Sequence, residues 1–175
     1  ESPCFDFSEL TEDPAIEFSL IYQLQTTYDL AWLEMSLDGG QNWEKIGEIG
    51  EGKNWYTEEN QFLGLDAGWS GHSDGWITAR HSLPNSAGES EVHLRFAVAT
   101  APFFLSGGIG IDDVRILKSF PKDLAGLSVS TLGDDLECGI ALDQILFSFT
   151  NFGSQTQSGL KAAYSINGGT SVVQN

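Results

Sequence analysis

From Glu1 to about Lys118 strand signals recur at short intervals, each a run in which apolar and polar residues exchange places with a period of two. Ile16, Phe18, Leu20 and Tyr22 alternate with Glu17, Ser19 and Ile21, the pattern of a strand with one face on a core. Ala31, Leu33 and Met35 lead into Ser36-Leu37-Asp38-Gly39-Gly40-Gln41-Asn42-Trp43, and Trp43 and Ile46 lead out of it. Asp38-Gly39-Gly40 tolerates the positive φ of a tight turn, so these residues predict a β-hairpin with Trp43 packed beneath it. Val92, Leu94, Phe96 and Val98 alternate with Glu91, His93 and Arg95, the cleanest such run in the chain. Ile109 and Ile111 change register around Asp112-Asp113 before Val114 and Ile116, which predicts a β-bulge there. No window sustains a helical period.

Between these strands lies a long aromatic and glycine-rich connection, Gly50 to Gly75 and into Trp76, carrying Trp55, Tyr56, Phe62 and Trp69. A connection of that length is either functional or folded over the core. Proline and charge then break the pattern at Ser119-Phe120-Pro121-Lys122-Asp123, predicting a linker over residues 119–123. After it, Leu127 and Val129, then Ile145, Phe147 and Phe149, then Leu160 to Ile166 ahead of the turn Asn167-Gly168-Gly169, and finally Ser171 to Val173 read as four strands. An immunoglobulin-like sandwich needs about seven strands. The second unit, 124–175, is therefore expected to be part of one, completed further along a parent chain or by strand addition from another molecule.

Composition agrees with an all-β chain: twenty glycines, eleven phenylalanines and five tryptophans stand against one methionine. The balance of 25 acidic to 8 basic residues, a formal net charge of −17, repels phosphate backbones and argues against nucleic-acid binding. It suits either a solvated acidic surface or the binding of hard cations such as calcium. Cys4 and Cys138 match no metal or redox spacing, and no apolar run approaches the roughly 20 residues that span a bilayer. With neither an initiating methionine nor a signal peptide, the chain reads as an excerpt of a longer secreted polypeptide.

Four segments in this order carry a resemblance. Cys4-Phe5-Asp6-Phe7, the Asp38 hairpin with Trp43, Gly75-Trp76, and above all Gly107-Gly108-Ile109-Gly110-Ile111-Asp112-Asp113-Val114 resemble the MAM-type, concanavalin-like jelly-roll domain, and most closely its relatives in secreted multi-domain proteins of Bacteroidota. Thr150-Asn151-Phe152-Gly153 and Tyr164-Ser165-Ile166-Asn167-Gly168-Gly169 are similar to the immunoglobulin-like, CARDB-type repeats that follow such domains. The four-cysteine pattern of animal MAM domains is absent. The resemblance implies a jelly roll over 1–118 and an extracellular, non-catalytic module, exported by a type IX route and attached to adhesins, surface filaments or secreted hydrolases. It also implies a structural calcium where first and last strands meet, with Asp6, Glu9, Asp112 and Asp113 as the converging carboxylates.

Other chemistries fit poorly. Ser36 to Trp43 also resembles the Asp-box hairpin of sialidases, and Arg80, Arg95 and Arg115 are the arginines such an enzyme would need, but a propeller cannot be built from this length. His72, His81 and His93 accompany no Gly-x-Ser-x-Gly elbow, no His-Glu-x-x-His and no phosphate loop; His93 falls on the polar side of its strand and reads as a surface residue. The arguable binding stretch is Trp69-Ser70-Gly71-His72-Ser73-Asp74-Gly75-Trp76, where Trp69 and Trp76 could stack on sugar rings while His72 and Asp74 bond hydroxyls. The competing expectation is that both tryptophans staple the long loop to the sandwich. The functional expectation is a structural and adhesive module of a large bacterial surface protein, with neighbouring domains or subunits as partners; the alternative is a carbohydrate-binding accessory module of a secreted hydrolase.

Overall fold

The computed structural model describes residues 1–60, 64–102, 107–119, 122–131, 145–153, 155–165 and 167–174. Every paired strand among them is antiparallel, and none of these residues is helical. The chain divides into two compact units, Glu1–Ser119 and Phe120–Asn175.

In the first unit β1 (Ala15–Gln23) is the centre of one sheet, with β6 (Ile77–Ser82) on one side and β8 (Gly108–Leu117) on the other. β2 (Leu30–Ser36) is the centre of a second, between β3 (Glu44–Lys45) and β7 (His93–Ala99). The period-two alternation decides which side chains meet. Ile16, Phe18, Leu20 and Tyr22 of β1 point into one core with Ala31, Leu33 and Met35 of β2 and Leu94 of β7. Phe18 touches Phe96 across the layers edge-on, with ring centroids 5.0 Å apart. The result is sandwich-like, two sheets joined face to face by apolar side chains. Val98, expected to continue the inward row of β7, is instead 46% exposed, although its cross-strand partner Ala31 is buried.

The long connection is not one loop. It contains a hairpin of β4 (Glu58–Asn60) with β5 (Leu65–Gly68), and Trp69 just after β5 bridges Ala31 of β2 on the side away from β7. Earlier in the same connection Lys53 exchanges backbone hydrogen bonds with Arg80 of β6. Trp55, Tyr56 and Trp69 all enter the core. Tyr56 also fills a gap in the second sheet: its hydroxyl accepts the Leu33 N–H at 3.1 Å, where β3 has already ended and β5 does not reach. Burial pushes that phenol well above its ordinary range. Phe62 lies outside the described residues.

The Asp38 hairpin shows why its composition is so particular. One carboxylate oxygen of Asp38 accepts the backbone N–H groups of Asn42 at 2.8 Å and Gln41 at 3.0 Å and the Ser36 hydroxyl at 2.7 Å. The other oxygen accepts the Asn42 amide, while Trp43 Nε1 closes the turn on the Gly40 carbonyl. These donors, the Asn42 N–H foremost, pull the Asp38 carboxyl from 3.8 down to about 2. A carboxyl depressed on folding stabilises the fold above its unfolded value and loses that contribution as pH falls through its folded value. Asp38→Asn is therefore expected to be less stable than the parent at pH 7, with the difference shrinking between about pH 4 and pH 2; urea midpoints across that range measure it, and a pH-independent difference would refute the charge as the cause.

The bulge falls where expected. Glu17 pairs with Arg115 and Ser19 with Asp112, so β8 spends one residue more than β1 over this interval, and Asp113 there has φ of 51°. In the second unit β9 (Leu124–Thr131) pairs with β10 (Ile145–Asn151), and β11 (Ala162–Tyr164) with β12 (Val172–Gln174). Phe147 of β10 meets Tyr164 of β11 at 6.2 Å, and the Phe152 N–H bonds the Asp123 carbonyl at 2.7 Å.

Candidate functional site

The segment from Trp69 to Trp76 is fixed to the sandwich at several points, and this sorts its side chains. Trp69 is 0% exposed: its ring packs against Phe18, Trp55 and Tyr56, and its Nε1 donates to the Asn54 carbonyl at 3.0 Å. Ser70, also buried, donates its hydroxyl to the Asp29 carbonyl and its N–H to the Thr57 hydroxyl oxygen. Ser73 docks the middle of the segment on the end of β1, its hydroxyl accepting the Tyr22 N–H at 3.0 Å and donating to the Gly75 carbonyl at 2.7 Å. With 69, 70 and 73 anchored, His72, Asp74 and Trp76 are left in solvent. Asp74 reverses the chain with φ of 53°, a conformation that aspartate tolerates better than most residues.

Trp76, 58% exposed, lies on the outer face of the β6-β1-β8 sheet. Ile21 and Gly110 form a cross-strand pair on that face. A β-carbon at Gly110 would sit 2.9 Å from Cγ2 of Ile21, too close, and 3.4 Å from Cη2 of Trp76, about van der Waals contact, so the indole lies beside the bare backbone of Gly110. Beside it opens a cleft of about 500 Å3, walled by Tyr22, Gln23, His72, Asp74 and the run Gly107 to Gly110. Further along the same face the register places Ser19 between Thr78 and Asp112, then Glu17 between Arg80 and Arg115. The site thus has one aromatic plate, a polar cleft at its edge, and a flat hydroxyl- and charge-bearing floor beyond.

Comparison of the chain with protein-family models, curated proteins and solved structures finds no match.

The two tryptophans expected to act alike do not. Trp69 offers no face to a ligand, because its ring is fully buried among core aromatics; Trp76 does. The four carboxylates expected around a calcium do not come together either: among the described residues no three of His, Cys, Asp and Glu stand close enough to hold a metal ion. The reason is topological. β1 and β8 do meet, but the segment bearing Asp6 leaves that sheet and bridges Val92 ahead of β7, in the other layer. Asp6 is occupied in its own turn, its carboxyl held low by the Ser8 hydroxyl and N–H. Glu9 is exposed; Asp112 and Asp113 occupy the bulge, with Asp113 3.9 Å from Arg115.

The arginines are likewise dispersed, Arg95 lying over the Trp43 ring at 4.1 Å and bonded to Glu34 on the second sheet, away from Arg80 and Arg115 on the first. His81 is buried against Trp55, and His93, half-buried rather than a plain surface residue, lies 3.8 Å from Glu1. Cys4 is exposed, and Cys138 lies outside the described residues.

Residues that sequence reasoning did not assign to the site are Ile21, Gln23, Gly108 and Gly110. The signal for Ile21 and Gln23 was present: they are the odd positions of β1, opposite Leu20 and Tyr22, and so must face outward. Gly108 and Gly110 stand out in the sequence as a motif, but their place in the wall of the cleft follows only from the pairing of β8 with β1.

Proposed function

We propose that this chain is a non-catalytic adhesion module of an extracellular bacterial surface protein, its first unit a jelly roll and its second part of an immunoglobulin-like sandwich. The outer face of the β6-β1-β8 sheet is its contact surface. One observation carries this reading: a tryptophan left 58% exposed on a rigid sheet, seated against a glycine and bordered by a polar cleft. Large aromatics held in solvent on rigid elements are the anchors that binding surfaces use. A loop pinned by Trp69, Ser70 and Ser73 holds the neighbouring polar groups in place before any partner arrives, which lowers the entropic cost of binding.

The test is attachment. Beads coated with the 175-residue chain are expected to be retained on living bacterial cells, and Trp76→Ala to reduce that retention at least about fivefold. Equal retention of the two, or release of reducing sugar ends from polysaccharide by the wild type, would overturn the reading.

A further inference from the structure

We propose that the ligand of this face is an uncharged sugar chain, one pyranose ring stacked on the Trp76 indole and its neighbour's hydroxyls bonded in the cleft by His72 and Asp74. The inference rests on the proposed adhesion surface and names what that surface takes.

An exposed indole can stack on three kinds of partner: a nucleobase, an apolar protein side chain, or the axial-hydrogen face of a sugar. The surroundings of Trp76 separate them. A nucleobase brings a phosphate backbone, and a chain of net charge −17, with Asp74 in the cleft and Asp112 and Glu17 on the floor, repels it. A protein interface of ordinary size covers about 800 Å2 per partner around an apolar centre. Beyond Trp76 and the half-buried Ile21, however, this face turns to Ser19, Thr78 and Asp112, and then to the charged row of Arg80, Glu17 and Arg115. What remains is a ligand with one apolar face and many hydroxyls.

The cleft suits the second half of that description. A carboxylate accepts two hydroxyls through its two oxygens, and an imidazole can offer both a donor and an acceptor. Asp74 and His72 supply this pair, and Gly107, Gly108 and Gly110 bring bare backbone to one part of the wall, which leaves a sugar ring room beside Tyr22 and Gln23. The volume of about 500 Å3 lies within the range of small-ligand sites. Carboxylates on the cleft and floor select against uronic, sialylated and sulfated sugars; the arginines nearest them face Glu17 and Asp113.

Affinity electrophoresis of the full chain through gels containing a soluble β-glucan, a mannan, a xylan or, as the charged arm, an alginate tests this. At least one neutral polysaccharide is expected to retard the wild type. Trp76→Ala should weaken that retardation at least about tenfold, and His72→Ala and Asp74→Asn each about three- to tenfold. Far-ultraviolet circular dichroism of each variant guards against loss of fold. The inference is overturned if no neutral polysaccharide binds, if Trp76→Ala leaves binding unchanged, or if alginate binds best. Trp76-dependent retention on cells without binding to any neutral polysaccharide would sink the sugar and leave adhesion standing. Sugar binding by a chain that retains no beads on cells would support the ligand and sink adhesion.

Discussion

Trp69→Ala is expected to destabilise the first unit by about 3–5 kcal/mol, the range for truncating a large aromatic in a packed core. The ring is fully buried among Phe18, Trp55 and Tyr56, and its Nε1 satisfies the Asn54 carbonyl. The substitution therefore removes apolar contacts, opens a cavity between the two sheets and leaves a carbonyl unpaired, three costs with the same sign. Against a total stability of about 5–15 kcal/mol for a domain, that is a large share. All five tryptophans, Trp32, Trp43, Trp55, Trp69 and Trp76, belong to Glu1–Ser119, so indole fluorescence in urea reports this unit without interference from the other. Trp76→Ala is the matched control. Its ring is mostly in water, and its removal should shift stability by no more than about 0.5 kcal/mol. A Trp69 variant as stable as the Trp76 variant would mean that the two rings are not divided between core and surface.

That division was the part of the site the sequence could not reveal. Trp69 and Trp76 stand seven residues apart in one loop, and each follows a glycine, so composition treats them alike. What separates them is the bridge from Trp69 to Ala31, a contact across 38 positions that no local pattern encodes. Elements whose burial is one-sided were legible: β1, β2 and β7 carry period-two rows, and apart from the exposed Val98 of β7 the same residues point inward in the fold. The Asp38 hairpin and the bulge at Asp112-Asp113 were legible as well, because each depends on residues with special backbone tolerance or on a break in alternation. The β4 strand was not, since Glu58-Glu59-Asn60 carries no apolar row at all, yet it pairs with β5. Nor was the failure of Asp6 to reach Asp112, which follows from the N-terminal segment joining the other layer.

A second long-range contact of this kind sets the other large effect. Gly52→Ala is expected to cost about 2–5 kcal/mol, from two sources that can be measured apart. Gly52 has φ of 59°, in the left-handed region where a β-carbon alone costs about 1–2 kcal/mol. Its β-carbon would also overlap the carbonyl oxygen of Arg80, a backbone atom of β6 that cannot swing aside as a side chain does. That same oxygen accepts the Lys53 N–H at 2.8 Å, and the Arg80 N–H returns the bond to the Lys53 carbonyl at 3.0 Å. The methyl group would therefore push apart the pair of hydrogen bonds that ties the long connection to the first sheet, next to the point where His81 packs on Trp55. Gly50 separates the two sources: its φ of 84° is also left-handed, but nothing lies within 4 Å of an added β-carbon. Gly50→Ala should lose about 1 kcal/mol by backbone strain alone. Urea midpoints followed by tryptophan fluorescence give both values. Equal losses at the two glycines would show that the Arg80 contact yields freely, and that the connection is held by Trp55 and Trp69 rather than by its bridge to β6.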